Sequence, residues 1–334
     1  MNASHRYKVS HFILWTREKI IKMLIISTIP TLLFYFLGWK WLAIPWVPIA
    51  LLGTATAFIS GFRNTQTYGR LWEARQIYGA IINNSRSFGI MVKDFIRQEN
   101  SEHEKLLHKE LFYRHFAWLT ALRFQLREVK AWENVKTRPY NRRYLKFYKV
   151  PEWESDLGEE LKNYINENEV NFLLEKKNRA TQIITLQSET LRKLHTEGFI
   201  NDFNYTALEN QLKEFYDQQG KCERIKNFPY PRQFSTINTY FTNLFCVLLP
   251  LGFLNEFAKL DHIYIWFTIP FSMLLGWVFL VLEQIGESCE NPFEGCANDV
   301  PISQISRMIE IDLRDMLNEK DLPAPLLPQN GILM

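Results

Sequence analysis

The residue pattern with the clearest chemical meaning is a row of side chains spaced four apart. Thr54, Phe58 and Phe62 recur at this interval, which places them on one face of a helix. Gly53 and Gly61 flank the row, and such small residues allow close approach between helices in a bilayer. If the row faced the axis of an oligomer, its aromatic rings would form a narrow apolar neck that gates ions by dewetting.

The same spacing has a second interpretation. Phe58 and Phe62 could instead face lipid or pack against a neighbouring helix, as apolar side chains of membrane helices commonly do. Spacing alone favours this second interpretation. The row by itself therefore does not define a pore.

Sequence patterns that mark common enzymes are absent from the chain. It contains no G-x-x-x-x-G-K-[ST], G-x-G-x-x-G, H-E-x-x-H or G-x-S-x-G, which are typical of nucleotide, metal and ester chemistry. Cys289 and Cys296 have no standard zinc spacing. We expect His103, His108 and His115 to lie on the solvated face of a polar helix. The sequence predicts neither an enzyme nor a metal site.

Four long uncharged runs carry the apolar residues. Between Met23 and Phe62 the only charged residue is Lys40, which divides that stretch into two runs. Residues 233–255 and 262–282 contain no Asp, Glu, Lys or Arg. Each run has about the 20 residues needed to cross a hydrocarbon core. Membrane-spanning helices are predicted near 20–39, 42–62, 234–256 and 262–283.

Composition agrees with a membrane partner and argues against nucleic acid. The chain is 47% hydrophobic and 22% charged, with a formal net charge of +3. That small charge excludes a nucleic-acid binder held by bulk electrostatics, and the apolar content excludes a disordered chain. Trp39, Trp41 and Trp46 cluster around the turn between the first two runs, as in an interfacial aromatic belt. We expect the lipid bilayer as a partner.

The distribution of basic residues predicts the orientation in the membrane. Basic side chains precede the first run and follow the second, whereas the turn between these runs holds only Lys40. The positive-inside rule therefore places both termini in the cytoplasm and makes this a multi-pass protein of the cell membrane. The basic residues are Arg6, Lys8, Arg17, Lys19 and Lys22 before the first run, and Arg63, Arg70 and Arg75 after the second.

Most of the remaining chain is predicted to be helical. Apolar residues after Phe62 recur at spacings of three and four, which continues the second helix. Further helices are expected over 108–129 and 168–195, and from Tyr205 onwards. Segment 134–154 has no clear period and is predicted to be a loop, and the tail 321–334 is predicted to be extended or disordered.

These elements divide the chain into four parts. The parts are 1–62, the cytosolic N-terminus with the first two membrane helices; 63–232, a helical cytosolic region; 233–283, the third and fourth membrane helices; and 284–334, a cytosolic segment with an amphipathic helix.

Three motifs together resemble the bestrophin family, especially its bacterial branch. The first runs from Phe62-Arg63-Asn64 through Tyr68-Gly69-Arg70-Leu71-Trp72-Glu73-Ala74-Arg75. The second is FPYPRQFSTINTYFTNLFCVLLPLG, and the third is EQIGESCENPFEG followed by NDVPISQISRMIEIDLRDML. The resemblance covers nearly the whole chain, with the motifs in order. It implies an all-α homopentameric ion channel, with four membrane helices per subunit and a helical cytosolic region around one axial pore.

The resemblance assigns expected roles to named residues. Thr54, Phe58 and Phe62 fall where the family has its three-residue neck, although Thr54 replaces the usual bulky apolar residue. A second constriction is expected in the cytosolic region, with Ile200, Phe203 and Asn204 as candidates. The other motif residues are Arg63, Asn64, Arg70, Trp72, Glu73, Arg75, Asn291, Pro292 and Phe293.

The resemblance also bears on cofactors. Animal members bind calcium through an acidic cluster after the Asn291-Pro292-Phe293 motif. Here residues 294–299 contain no run of consecutive carboxylates, whereas calcium prefers six to eight oxygen ligands. We therefore expect no cofactor, because the calcium cluster is incomplete.

Ion selectivity stays open at the level of sequence. The family is mainly one of chloride channels, but its bacterial members include cation-permeable ones. Phenyl rings could favour an anion through their edges or a cation through their faces. Arg63 could attract anions below the neck, or it could be paired in the subunit interface. A membrane scaffold that binds a partner protein and a membrane-embedded enzyme are the competing functions.

Overall fold

The computed structural model describes residues 1–3, 8–97 and 101–334, except for the side chain of Ser101. Arg6 therefore lies outside the described residues. Across these ranges the chain is α-helical and contains no β-strand beyond isolated bridges at Asn2, Gln329 and Ile332. The prediction of an all-α fold is confirmed.

Four long helices carry the uncharged runs. Within the described residues, four segments are long and apolar enough to cross a membrane. They contain the helices α1 (Val9–Leu37), α2 (Trp46–Phe95), α10 (Arg232–Phe257) and α11 (Thr268–Ser288), the last preceded by a 3₁₀ turn at His262–Phe267.

A helical body is formed by the helices between the two pairs of long apolar helices, together with the helix that follows α11. Its core is mainly aliphatic and also contains large aromatic side chains, among them Phe88, Phe112, Trp118 and Phe215, which are all buried. The helices of the body are α3 (Ser101–Arg127), α4 (Pro139–Tyr144), α5 (Pro151–Glu154), α6 (Leu157–Leu161), α7 (Glu167–Leu174), α8 (Arg179–Thr196), α9 (Asp202–Asn227) and α12 (Ile302–Met316).

Small residues set the close packing of the long helices. A Cβ added to Gly53 of α2 would lie 2.6 Å from the ring of Phe245 on α10. A Cβ on Gly276 of α11 would lie 2.2 Å from the methyl carbon of Met23 on α1. Membrane helices associate through such close contacts, because lipid supplies no hydrophobic force between them.

Helix α2 connects the membrane part to the body. It runs for 50 residues without interruption, which is about 75 Å at the α-helical rise. Its first half packs against α10 and α11, and its second half packs against α9 and α12. One rigid element therefore carries the row at Thr54, Phe58 and Phe62 and continues into the core of the body.

Two predicted segments differ from the structure. The helix predicted over 168–195 is interrupted between α7 and α8, because the Asn178 side chain accepts a hydrogen bond from the Thr181 amide at 3.0 Å and caps the new helix. Segment 134–154, predicted to be a loop, contains α4, a 3₁₀ turn at Leu145–Phe147, and α5. Pro139 and Pro151 begin these short helices, as proline does readily.

The histidine prediction is wrong for two of three residues. His108 and His115 are buried. The His115 ring lies 2.9 Å from the Ser85 hydroxyl and stacks on Trp118, and burial lowers the pKa of His115 to about 3. These rings therefore belong to the core of the body.

The tail is extended, and its end is held against the body. Ile332 and Met334 are buried in a cluster with Tyr144 and Tyr148. The amide of Ala3 donates to the carbonyl of Gly331 at 2.7 Å. The alternative of a disordered tail is therefore wrong, because apolar burial and backbone pairing fix its last residues.

Candidate functional site: an exposed face of α2 and the junction beneath it

The row of Thr54, Phe58 and Phe62 lies on a face of α2 that the rest of the chain leaves uncovered. Phe58 is 73% exposed and Phe62 is 60% exposed, and their ring centroids are 6.3 Å apart. Residues on the opposite face, such as Ser60, are buried against the other long helices. The chain brings the three predicted neck residues together but places nothing over them.

The uncovered surface continues far beyond the apolar part of α2. At the α-helical period, its exposed residues fall within about 80° of the helix circumference. We call this surface the α2 face, and it consists of Thr54, Phe58, Phe62, Thr65, Gly69, Trp72, Gln76, Asn83 and Ser87. Between Thr54 and Ser87 it carries no charged side chain, and in the last turns of α2 the same sector holds the exposed residues Ile90 and Asp94. The face is apolar at Phe58 and Phe62 and mostly polar or small below them.

Arg63 lies on the other side of α2 from this face. Its side chain is 2% exposed, and its guanidinium lies 3.6 Å from Glu283 and 3.0 Å from Glu290. It also donates to the Ser235 hydroxyl at 2.9 Å. Within this chain, Arg63 therefore does not face the row, and both of its carboxylate partners belong to the same chain.

Glu290 is the centre of this buried junction. It accepts hydrogen bonds from Arg63 at 3.0 Å and from Arg232 at 3.3 Å. Burial raises the pKa of Glu290, although the two guanidinium groups act in the opposite direction. The junction thus joins α2, the start of α10 and the segment after α11.

Arg70 and Asn64 tie α2 to backbone groups of other elements. Arg70 donates to the carbonyls of Glu290, Ile225 and Phe228 at 2.8–3.1 Å. The Asn64 amide donates to the carbonyl of Leu282 at 3.1 Å. These contacts hold α2 in place where it leaves the apolar region.

Three further residues of the first motif, Trp72, Glu73 and Arg75, lie at the surface of the body. Trp72 is 52% exposed and belongs to the α2 face. Glu73 forms an ion pair with Arg224 of α9. Arg75 is exposed. Of these, only Trp72 lies in line with the neck row.

The Asn291-Pro292-Phe293 motif forms a buried turn beside α2. Phe293 is 1% exposed and lies 5.9 Å from the ring of Tyr78. The Pro292 carbonyl accepts from the Val300 amide at 3.3 Å, and the Asn291 amide donates to Glu294 at 3.3 Å. The motif therefore packs the segment after α11 onto α2.

The carboxylates that follow this motif are engaged by protein groups. Asp299 accepts from the amides of Gly295 and Cys296 at 2.7 and 3.0 Å, and Glu294 accepts from the Asn134 amide at 2.7 Å. Burial raises the pKa of Glu294 to about 8 and that of Asp299 to about 6. Among the described residues, no group of three or more His, Cys, Asp or Glu side chains is arranged to hold a metal.

The three candidates for a second constriction differ in exposure. Ile200 is 2% exposed and belongs to the core of the body, so it cannot line an aperture in this conformation. Asn204 is partly buried in the first turn of α9, and its amide is capped by Asn201 at 2.8 Å. Phe203 is 88% exposed and is therefore the candidate whose side chain is free to line a second constriction.

The sequence did not indicate the partners of Arg63. Glu283 and Glu290 lie more than 200 positions away along the chain, so neither spacing nor periodicity relates them to it. A weak signal did exist, since Glu283 directly follows a long uncharged run. A carboxylate at the end of a membrane span needs a partner or access to water.

Comparison with known proteins agrees with this arrangement. The model of the family described as bacterial and fungal bestrophin proteins matches residues 9–315. The chain therefore belongs to the bacterial and fungal bestrophin family, a family of membrane channels.

Curated relatives align over most of their length. The voltage-dependent anion channel-forming protein YneE of Salmonella typhi is 28% identical over 282 residues, covering 84% of this chain and 80% of the relative. A voltage-dependent anion channel-forming protein of Ralstonia nicotianae, RSc3414, is 27% identical over 275 residues, or 82% and 78% of the two chains.

A solved structure supports the same fold. The crystal structure of a bacterial bestrophin homolog from Klebsiella pneumoniae superimposes with a TM-score of 0.74 at 24% identity. The superposition covers 93% of this chain and 100% of that chain. The arrangement of four long helices on a helical body is thus shared with a bestrophin homolog.

Proposed function

We propose that this chain is one subunit of a homopentameric anion channel of the cell membrane, with the α2 face lining a single axial pore. The observation that carries the proposal is the exposure of the α2 face from Thr54 to Ser87. Lipid could cover its apolar upper part. It could not cover the polar lower part, which lies along the body.

A ring of subunits accounts for the whole face with one arrangement. In a closed ring, each subunit presents the same face to the axis. Phe58 and Phe62 would then form two apolar rings, with Thr54 above and Thr65 below. Such a constriction can block ions by dewetting, while the polar part beneath forms a hydrated vestibule. Phe203, in the first turn of α9, is our proposed residue for the second constriction.

The names of the relatives support an anion as the permeating ion, and the uncharged α2 face is compatible with one. The matched curated proteins are named as voltage-dependent anion channel-forming proteins. The α2 face holds no fixed charge that would repel chloride, because Arg63 and its two carboxylates lie on the opposite side. The positive edges of the phenyl rings can face an anion in the neck.

Cation permeability is the second candidate. The observation in its favour is that the α2 face also lacks a positive charge, and phenyl faces attract cations. The same uncharged rings could therefore serve either sign, and ion substitution distinguishes the two.

The orientation and cofactor requirements complete the proposal. We propose that both termini and the body are cytoplasmic, as the basic residues around the first two helices favour.

We also propose that conduction needs no bound calcium, because Glu294 and Asp299 are already hydrogen-bonded by amides of the chain. Neither an enzymatic nor a scaffold role accounts for the uncovered α2 face.

The test is chloride efflux from liposomes that contain the purified full-length protein, together with the mass of the complex. We expect passive efflux without nucleotide, unchanged by a calcium chelator, and a complex of five subunits. Efflux equal to that of empty liposomes would contradict the channel, and a particle that stops at dimers would contradict the ring.

A further inference from the structure

A polar cleft opens at the end of the long helices that joins the body. It lies between α1, α10, α11 and the start of α4, and its volume is about 280 Å³. Its charged lining consists of three basic side chains, Lys19, Lys22 and Arg138, and three carboxylates, Glu18, Glu283 and Glu287. The cleft is separate from the α2 face and from the turn at Asn291-Pro292-Phe293.

Lys22 is the basic residue in the cleft that lacks a carboxylate partner. Its ammonium group donates to the side-chain oxygen of Asn243 at 2.6 Å, and it forms no ion pair with any carboxylate among the described residues. By contrast, Lys19 lies 3.6 Å from Glu283, and Arg138 is paired with Glu287. Glu18, the third carboxylate of the lining, is paired with Arg143. Among the described residues, Lys22 is therefore the lining cation that has no carboxylate within ion-pair distance.

A buried hydroxyl in the same cleft also has no partner. Thr242 of α10 is fully buried, lines the cleft, and its hydroxyl makes no hydrogen bond. A buried hydroxyl without a partner carries a free-energy cost. An acceptor bound in the cleft would remove that cost and would meet the ammonium group of Lys22 as well.

The position of the cleft indicates where that acceptor comes from. The uncharged run of α1 begins immediately after Lys22, and α10 has no charge after Arg232 until Glu256. The cleft therefore lies at the depth where the helices pass from the body into the apolar layer. Anionic phospholipid headgroups occupy this depth, and basic residues there bind them.

We propose that this cleft binds the phosphate group of an anionic phospholipid. The ammonium group of Lys22 contacts the phosphate, and the Thr242 hydroxyl donates a hydrogen bond to a phosphate oxygen. Arg138 lies at the rim of the cleft. The same chemistry would accept free inorganic phosphate, so both sources are tested. Binding is measured directly, so this proposal can fail or stand independently of ion conduction.

The experiment measures phosphatidylglycerol bound to the full-length protein in detergent by native mass spectrometry. Phosphatidylcholine, whose headgroup has no net charge, and inorganic phosphate are the comparison ligands. We expect saturable binding of phosphatidylglycerol and weaker binding of phosphatidylcholine. If millimolar phosphate displaces the lipid, the cleft is a phosphate site whose ligand is free phosphate. That result would support the proposed contacts and change the source of the phosphate group.

Two variants and a matched control test the residues. Lys22→Gln should weaken phosphatidylglycerol binding about fivefold, the effect of one basic group near a headgroup. Arg17→Gln, an equal charge change at an exposed position of α1, should change it less than twofold. Thr242→Val, which keeps the size of the side chain, should weaken binding without lowering the unfolding temperature.

Two results would overturn the proposal. One is equal affinity of the wild type, Lys22→Gln and Arg17→Gln for phosphatidylglycerol, which would indicate general surface attraction. The other is an unchanged affinity in Thr242→Val, which would leave the buried hydroxyl without a role in binding.

Discussion

Arg63 and its two carboxylates are the most informative group at the scale of single residues. Arg63, Glu283 and Glu290 are all nearly inaccessible to solvent. Buried charges are tolerated when they are paired, and the removal of one partner leaves the others uncompensated. The group therefore acts as a fixed joint between α2, α11 and the segment that follows α11.

Arg63→Gln tests this structural role. The variant removes the buried guanidinium that both carboxylates share and leaves Glu283 with Lys19 and Glu290 with Arg232, which should cost about 3 kcal/mol of unfolding free energy. Thermal unfolding of the purified protein measures the loss. Arg75→Gln, at an exposed position of the same helix, should leave the unfolding temperature nearly unchanged, and equal behaviour of the two variants would refute the role of the joint.

The carboxyl of Glu294 predicts a dependence of stability on pH. Burial raises the pKa of Glu294 in the folded protein to about 8, whereas the pKa of a glutamate in an unfolded chain is about 4.3. The folded state therefore binds more protons than the unfolded state between these values, and its stability falls as pH rises from about 5 to 8. Between about pH 5 and pH 8, the unfolding temperature of Glu294→Gln should therefore change less than that of the wild type. An identical pH profile in both proteins would contradict the assignment.

Phe58 and Phe62 are expected to limit conduction by their size. The double variant Phe58→Ala, Phe62→Ala widens both apolar rings and should raise chloride efflux severalfold or remove its gating. Phe36→Ala is the control, because Phe36 is equally exposed at 70% but lies on α1. If the double variant conducts and selects like the wild type, these rings do not form the neck.

At the scale of elements, α2 is the part of the chain on which the account depends. One side of α2 is buried by α10 and α11 above and by α9 and α12 below, and the other side is exposed throughout. Two threonines show the contrast within two positions. Thr65 is exposed on the α2 face, whereas Thr67 is fully buried.

These threonines provide a matched pair for cysteine substitution. A charged methanethiosulfonate reagent should rapidly reduce or alter the current through Thr65→Cys, because the new thiol lies in the conduction path. All variants carry Cys289→Ser, because Cys289 is partly exposed whereas the native Cys222, Cys246 and Cys296 are buried. In this background the same reagent should leave Thr67→Cys and the parent protein unaffected. Modification of Thr65→Cys without any effect on current would place the α2 face outside the pore.

The elements could be predicted where the sequence carries a local signal. Uncharged runs located the four long helices, and helical periodicity continued α2 into the body. Local patterns failed where tertiary contacts decide the outcome. His115 lies in a polar stretch yet is buried against Ser85, and Ile332 lies in a tail yet packs on the cluster of Tyr144 and Tyr148.

The part of the candidate site that lies within one helix could be predicted from the sequence, whereas its contacts between distant segments could not. The row at Thr54, Phe58 and Phe62 is a repeat within one helix, so its common face follows from the α-helical period. The pairing of Arg63 with Glu283 and Glu290 is a contact between distant segments and has no local signal. The burial of Ile200 likewise depends on how the turn before α9 packs on the body.

At the scale of the whole molecule, a single chain is an incomplete structure. It places an exposed aromatic row on a helix whose other side is well packed, and the exposed surface continues along the second half of α2. Additional copies around an axis would cover the flanks of α2 and leave only its centre hydrated. The five-subunit channel is the arrangement that we propose for these copies.

The sign of the permeating ion is measured by the reversal potential of the purified channel in a planar bilayer with a tenfold gradient of potassium chloride. We expect a current that reverses close to the equilibrium potential of chloride. Reversal close to the equilibrium potential of potassium would contradict anion selectivity, and the absence of any current would contradict the channel itself.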